Sequence, residues 1–397
     1  PLQLTQTYLD AIDAHPFGDR IYALVTHDRA LAEAKAKRYQ ERVNAIGDYE
    51  EAYEVITTEI ALVGVTAPVA GKEPNYKALC NRFACSIWWR RALRVSIGRH
   101  IEHEAIKNGF VGYGSHYVSS ETLNRRRQQN RRNAQLLEWI QAENDEGFVT
   151  TLAELSAAGV SNPENRKNEL MTRIRGIEEE AKRKGMTCEF LTITAPSKFH
   201  ATSGGRPNKK YDGSSPRDAQ KHLVKTWAKI RAKLHRLKVQ PVGFRVAEPH
   251  KDATPHWHLM LFIEPEQKAS LLEIFQDYAL QEDGDEKGAK ENRIDIVEID
   301  PAVGSAAGYI AKYISKNIDG YGIDADLYGR EAKESARRIE AWATTWGIRQ
   351  FQQIGGASVT VWRELRRISE DDLQESPEDI QKIREAERGL IVDAYQE

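Results

Sequence analysis

The chain has 397 residues, 40% of them hydrophobic and 29% charged, which is enough apolar material for packed cores in about two to three domains. No run of about 18 apolar residues occurs, which excludes a membrane-spanning helix, and three cysteines (Cys80, Cys85 and Cys188) exclude a disulfide framework and fit a reducing cytoplasm. The net charge of −2 excludes nothing by itself. The chain begins Pro1-Leu2-Gln3, with neither Met nor a basic-then-apolar leader, as expected of a piece of a longer protein.

Residues 1–182 read as a mainly helical region. Ala30 to Val43 and Asn130 to Glu143 are rich in Ala, Leu, Glu, Arg and Gln, which favour helix. Leu170 to Lys184 continues this character and stops at Gly185. Cys80 and Cys85 lie close together, but no second Cys/His pair follows to complete a zinc site. Trp88-Trp89-Arg90-Arg91 and the cluster Arg125-Arg126-Arg127 with Arg131-Arg132 carry residue types that stack on bases and hold phosphates. The same types also suit helices that pack Trp inward and turn Arg outward.

After Gly185 the texture changes. Cys188 to Thr194 is β-branched and alternating, and predicts a strand. Pro216 to Leu237 predicts a long basic helix. Pro241 to Glu248 and His256 to Ile263 predict strands around a loop at Pro249 to Pro255. Leu271 to Leu280 reads as helix, Arg293 to Ile299 as strand, and Ala306 to Ile318 as helix. This order, strands interleaved with helices over residues 183–335, predicts an α+β sandwich. Residues 336–397 read as a mixed helical region with an acidic tail.

The small net charge hides segregation. Pro196 to Gln240 holds 12 Lys/Arg against 2 Asp/Glu, whereas Glu264 to Asp300 holds 12 acidic against 4 basic residues. The basic stretch is therefore a candidate phosphate-binding surface, through Lys198, Arg206, Lys209, Lys210, Lys225 and Lys229. A solvated helix face is the plain alternative.

Residues two apart on a strand share a face, so His256 and His258 present two imidazoles side by side. Neutral imidazole is a common ligand of divalent metals. Glu248 lies eight residues before His256. If the intervening loop closes a symmetric hairpin, its carboxylate stands opposite His256 on the same face. Two imidazoles and a carboxylate suit zinc, manganese, magnesium or iron. His250 and Asp252 fall in the loop and rank below these three.

Tyr309 and Tyr313 are four apart, one turn apart on one helix face, with Lys312 and Lys316 beside them. A Tyr oxygen can form a covalent intermediate while cations hold a phosphate. A pair packed in the core is the alternative.

The order strand, His-x-His strand, Tyr-x-x-x-Tyr helix resembles the HUH endonuclease superfamily, and more closely the bacteriophage replication gene A protein family. Three motifs carry the match: Leu191-Thr192-Ile193-Thr194-Ala195-Pro196-Ser197-Lys198-Phe199-His200; Glu248-Pro249-His250-Lys251-Asp252-Ala253-Thr254-Pro255-His256-Trp257-His258; and Tyr309-Ile310-Ala311-Lys312-Tyr313-Ile314-Ser315-Lys316. Trp88-Trp89-Arg90-Arg91 and Ile348-Arg349-Gln350-Phe351-Gln352 are similar to the family outside these motifs, so the resemblance spans about residues 75–367. Ala253 stands where the family's loop has Gly.

The resemblance implies an HUH-type antiparallel β-sheet core flanked by helices over residues 183–335, and a metal-dependent DNA nickase and strand-transferase that starts rolling-circle replication. It implies Mg2+ or Mn2+ at Glu248, His256 and His258, and Tyr309 and Tyr313 as nucleophiles that form a 5′-phosphotyrosine. The implied substrate is single-stranded or supercoiled origin DNA in the host bacterial cytoplasm. No Gly-x-x-x-x-Gly-Lys-Ser/Thr loop occurs, so helicase and polymerase are expected from the host. Three other readings remain: a transposase or relaxase with the same site, a noncatalytic DNA-binding replication regulator, and a metallohydrolase using activated water.

Overall fold

A computed structural model describes residues 21–318 and 331–368. The chain divides into two compact units, residues 1–114 and 115–397. The acidic tail from residue 370 lies outside the described residues.

The first unit is helical: α1 (Ile21–Ile46), α2 (Tyr49–Ala61), α3 (Tyr76–Phe83) and α4 (Ser86–Lys107). The sequence signals only α1 clearly. The short connections carry their own caps: Asp48 accepts from the amides of Glu50 and Glu51 at 3.0 and 2.9 Å, and Asn75 accepts from Ala78. Trp89 is buried, stacks on Tyr39 with centroids 4.9 Å apart, and donates to the Phe83 carbonyl at 2.7 Å. Arg90 and Arg91 face outward. The Trp-Trp-Arg-Arg block is thus a core-packing block, with Trp88 packed edge-on against Phe83 and Trp89. Its two rings are engaged with protein, which leaves the arginines as its outward-facing part.

The second unit begins with α5 (Ser120–Trp139), whose predicted extension to Glu143 instead becomes a short hairpin, β1 (Gln141–Glu143) with β2 (Val149–Thr151). Then come α6 (Leu152–Ala158), α7 (Pro163–Arg183) and β3 (Thr187–Thr194). Gly185 has φ +69, the left-handed conformation that stops α7. A small ladder follows, β4 (Thr202–Ser203) and β5 (Arg206–Pro207), and then α8 (Pro216–Arg236), which opens on a capping box of Ser215 and Asp218. Next are β6 (Val242–Pro249), β7 (Pro255–Ile263), α9 (Pro265–Ala279), α10 (Ala289–Asn292), β8 (Ile294–Glu298) and α11 (Ala306–Ile318). The described part ends with α12 (Ala332–Trp346), β9 (Phe351–Ile354) and α13 (Val359–Arg367).

Five strands form one antiparallel sheet in the order β8-β3-β7-β6-β9. The fold is α+β, as expected, with β9 an edge strand that the sequence did not signal. Its four residues come from the Ile-Arg-Gln-Phe-Gln block and pair with β6.

Strand alternation gives the sheet two apolar faces. On one, Phe190, Phe244, Val246, Met260 and Phe262 pack with Leu170 and Ile174 of α7 and with Ile310 and Ile314 of α11. On the other, Trp257 donates to Gln220 of α8 at 3.0 Å, and Trp227 of α8 meets Phe275 of α9. Each fully buried Phe, Leu or Ile side chain contributes about 1.5–3 kcal/mol. This layering fixes register, since a one-residue slip of β7 would exchange His256 and His258 with Trp257 and Leu259.

Candidate active site on the hairpin and the tyrosine helix

β6 and β7 form the symmetric hairpin the sequence predicts, with Glu248 opposite His256 and Val246 opposite His258. Its loop closes by backbone bonds from His250 to Thr254 at 2.8 Å and from Ala253 to His250 at 2.9 Å, and Asp252 accepts from the Thr254 amide at 3.1 Å. Ala253 has φ +71, the conformation for which the loop prefers glycine. A side chain there costs about 1–2 kcal/mol. Its carbonyl accepts from the Trp342 indole at 2.8 Å, which anchors the loop to α12.

Glu248, His256 and His258 each bring one ligand atom within 4.8 Å of the others. His258 Nδ1 lies 3.0 Å from the Thr192 hydroxyl on β3, which leaves its Nε2 free to face the centre. The Nε2 atoms of His256 and His258 are 3.0 Å apart. Octahedral bonds of about 2.1 Å put neighbouring ligand atoms about 3 Å apart, so the spacing suits one shared divalent ion. His256 Nδ1 is buried and has no hydrogen-bond partner among the described residues. Burial pushes His258 down to about 4, against the pull of the Glu248 carboxylate, and pushes His256 well below the usual histidine range. Both rings are therefore neutral, ligand-ready imidazoles at neutral pH.

Glu248 is 1% exposed and is held from α11. Lys316 Nζ donates to its Oε2 at 2.8 Å, and the Asn317 amide donates to its Oε1. Asn317 also donates to the Tyr313 carbonyl at 2.5 Å and accepts from Gln350 Nε2 at 3.1 Å. Neither Asn317 nor Gln350 was singled out for chemistry in the sequence. Asn317 stands one turn after Tyr313, and Gln350 precedes a strand too short to announce itself.

α11 starts on a carboxylate from another helix: Glu178 of α7 accepts from the amides of Ala306 and Ala307 at 3.1 and 2.9 Å. Tyr309 and Tyr313 lie on its sheet-facing side, their centroids 6.1 Å apart. Phe190 of β3 packs against both, at 4.7 and 5.1 Å, and the Tyr313 ring lies 4.3 Å from His258. Burial pushes the Tyr313 hydroxyl above its ordinary range. Lys316 is nearly buried at the site, whereas Lys312 is exposed and has no ion pair among the described residues.

His250 and Asp252 lie behind His256 and outside the converging three. The His250 ring is 4.1 Å from His256 and 5.0 Å from His200, whose Nδ1 is 3.3 Å from Asp252. Burial alone would raise the Asp252 carboxyl, but bonds from His200 and the Thr254 backbone bring it down to about 2.

The basic surface residues divide in two. Lys198 pairs with Glu282 at 2.5 Å and Asp283 at 3.0 Å, Lys210 with Glu286 at 3.2 Å, and Lys229 donates to Gln281 at 2.6 Å. The acidic stretch thus covers part of the basic one. Arg206, Lys209 and Lys225 are exposed, and no ion pair holds them among the described residues. No described helix is long and apolar enough to cross a membrane. The three cysteines are free.

The chain is 47% identical over 294 residues to the replication gene A protein of Escherichia phage 186, covering 72% of this chain and 42% of that protein. It is 44% identical over 310 residues to the probable replication protein P12 of Pseudoalteromonas phage PM2, covering 76% and 48%. It is 35% identical over 294 residues to a probable replication endonuclease from a prophage-like region of Salmonella typhimurium, covering 72% and 36%. The chain spans less than half the length of these relatives. The sequence profile of the bacteriophage replication gene A protein (GPA) family matches residues 22–321, and the chain belongs to that family.

Proposed function

We propose that this chain is the catalytic part of an HUH-type DNA nickase and strand-transferase that starts rolling-circle replication of phage or prophage DNA. The observation that carries the reading is the seating of Tyr313 at 4.3 Å from His258, in a site where Glu248, His256 and His258 converge and Lys316 adds a cation. Two relatives bear the name replication protein or replication gene A protein, and the Salmonella relative is named a probable endonuclease.

In this reading a Tyr oxygen attacks a phosphodiester phosphorus at the origin. The bond from phosphorus to the 3′ oxygen breaks, leaving a 5′-phosphotyrosine and a 3′-OH that takes up the proton the tyrosine gives up. The second tyrosine, one turn away, cleaves the regenerated origin. The new 3′-OH then attacks the first phosphotyrosine, restoring the phosphodiester and releasing the tyrosine. Bond energy is conserved in the phosphotyrosine, so rejoining needs no nucleotide hydrolysis. Mg2+ or Mn2+ held by Glu248, His256 and His258 would supply charge stabilisation for the phosphate. Lys316 stands beside Glu248 to add to it, and exposed Lys312, Arg206, Lys209 and Lys225 would hold flanking phosphates. Strand extension and unwinding would fall to host polymerase and helicase in the bacterial cytoplasm.

The test is incubation with a supercoiled origin plasmid and Mn2+, followed by mass mapping of the residue left on DNA. The expected product is a relaxed circle with DNA on Tyr309 or Tyr313. Nicking by the Tyr309→Phe, Tyr313→Phe double variant at the parent's rate would overturn the mechanism. Nicking without an adduct would identify a water-using metallohydrolase, and binding without nicking a replication regulator.

A further inference from the structure

We infer that α5 and the β1–β2 hairpin form an arm that binds single-stranded DNA, with arginines on phosphates and Trp139 and Phe148 on bases. This builds on the proposed DNA chemistry but concerns a surface that takes no part in it.

α5 buries only Thr122 and Leu123 near its start, so most of its length is not held by a packed apolar face. Trp139 at its end is 86% exposed, and Phe148 on the hairpin is 65% exposed. Neither position stabilises a core: Trp139 closes α5 and Phe148 sits in the turn of the β1–β2 hairpin, each ring left largely in water, and large exposed aromatics of this kind signal a partner.

The charge on the arm selects that partner. α5 carries five arginines against two glutamates. A 330 Å³ cleft between α5 and α12 is lined by four arginines (Arg126, Arg127, Arg131 and Arg337) with Leu123, Asn130 and one carboxylate, Glu340. Arg126 Nε donates to Glu340 at 3.0 Å and Arg127 pairs with Glu334 at 2.5 Å, so these two guanidiniums are fixed in place. Arg131 and Arg337 are exposed and have no ion pair among the described residues. Planar, permanently charged guanidiniums match phosphate. Exposed aromatic faces on an arginine-rich arm match the bases of a single strand, whose stacking surfaces are open, and not those of a duplex.

The arm is also placed to meet such a strand. Tyr117, just before α5, donates its amide to the carbonyl of Lys251 in the hairpin loop at 3.1 Å. Arg338 of α12 donates to the Val118 carbonyl at 3.1 Å, and Trp342 of α12 to Ala253 at 2.8 Å. Both walls of the cleft are thereby anchored to the loop that joins Glu248 to His256. From there α5 reaches about 30 Å at 1.5 Å per residue.

The test measures binding without chemistry. Fluorescence anisotropy with a labelled oligo(dT) strand is read in EDTA, on the full chain carrying Tyr309→Phe and Tyr313→Phe. Trp139→Ala and Phe148→Ala are each expected to weaken binding about tenfold, with Trp139→Phe restoring most of it. Arg131→Ala, Arg132→Ala and Arg337→Ala together are expected to lower the slope of log affinity against log salt by about 2. All these positions are exposed, so melting temperatures should match the parent's. Unchanged oligo(dT) affinity and salt slope would overturn the inference. So would loss of duplex binding alone, or loss of self-association or protein binding with single-strand affinity intact. Because no cleavage is read, failure of the nickase reading leaves these outcomes interpretable, and their failure leaves the nickase reading standing.

Discussion

Asn317 on the tyrosine helix donates its side-chain amide to Glu248 on the hairpin, joining at one buried point the two elements that make the site. Both residues are almost fully buried. Asn317→Ala leaves a buried carboxylate short of one donor, which costs about 1–3 kcal/mol. Mn2+ affinity is expected to fall about 10- to 100-fold, the usual effect of losing a group that orients a ligand. Denaturant unfolding and calorimetric titration check the two parts. Gln350→Ala should move both in the same direction by less, because it removes only the donor to Asn317 Oδ1. Parent-like Mn2+ affinity in Asn317→Ala would remove the positioning role.

Metal itself should stabilise the fold. An ion that binds only the native state at 100 times its Kd adds about 2.7 kcal/mol. The expected result is a rise in melting temperature with Mn2+ that disappears in the His256→Ala, His258→Ala variant. An equal rise in both would place the ion elsewhere.

The Tyr313 ring and its hydroxyl can be separated. The ring packs on His258 and Phe190, so Tyr313→Phe should leave stability within about 1 kcal/mol of the parent, the range of size-conserving swaps. Tyr313→Ala should cost about 2–4 kcal/mol, somewhat less than a fully buried aromatic. A large loss of stability in Tyr313→Phe would show that the hydroxyl is structural.

The tyrosine helix depends on a cap from outside itself. Glu178 accepts from Ala306 and Ala307, where the helix's first amides lack internal partners. Glu178→Ala is expected to cost about 1–2 kcal/mol and to speed hydrogen exchange at the first turn of α11. Unchanged exchange there would mean the cap is dispensable.

Glu286 gives a pH dependence. Burial alone would raise its carboxyl, but bonds from Ser197, Arg293 and Lys210 bring it down to about 2 from an ordinary value of 4.5. A depressed folded-state value means stability present above pH 4.5 and lost as pH falls through about 2. The stake is at most about 3 kcal/mol. Glu286→Gln should therefore be less stable than the parent at pH 6, with the gap closing towards pH 2. A gap independent of pH would show that the carboxylate charge is immaterial.

Much of this was legible in one dimension, where periodicity carries the information. The alternation of β7 put His256 and His258 on one face. The eight-residue separation from Glu248 defined a hairpin whose register the structure reproduces. The four-residue spacing of Tyr309 and Tyr313 placed them one turn apart, and the helix runs over Ala306–Ile318 as its composition indicates. The Trp88-Trp89-Arg90-Arg91 block was undecidable from sequence, because stacking on bases and stacking on Tyr39 call for the same residue. Tertiary structure decided what depends on approach between distant segments. It brought Asn317, Gln350 and Thr192 to the site, and it set Glu282, Asp283 and Glu286 against the basic stretch. Local propensity has no access to a hydrogen bond such as Asn317 to Glu248, which exists only once helix and sheet have packed.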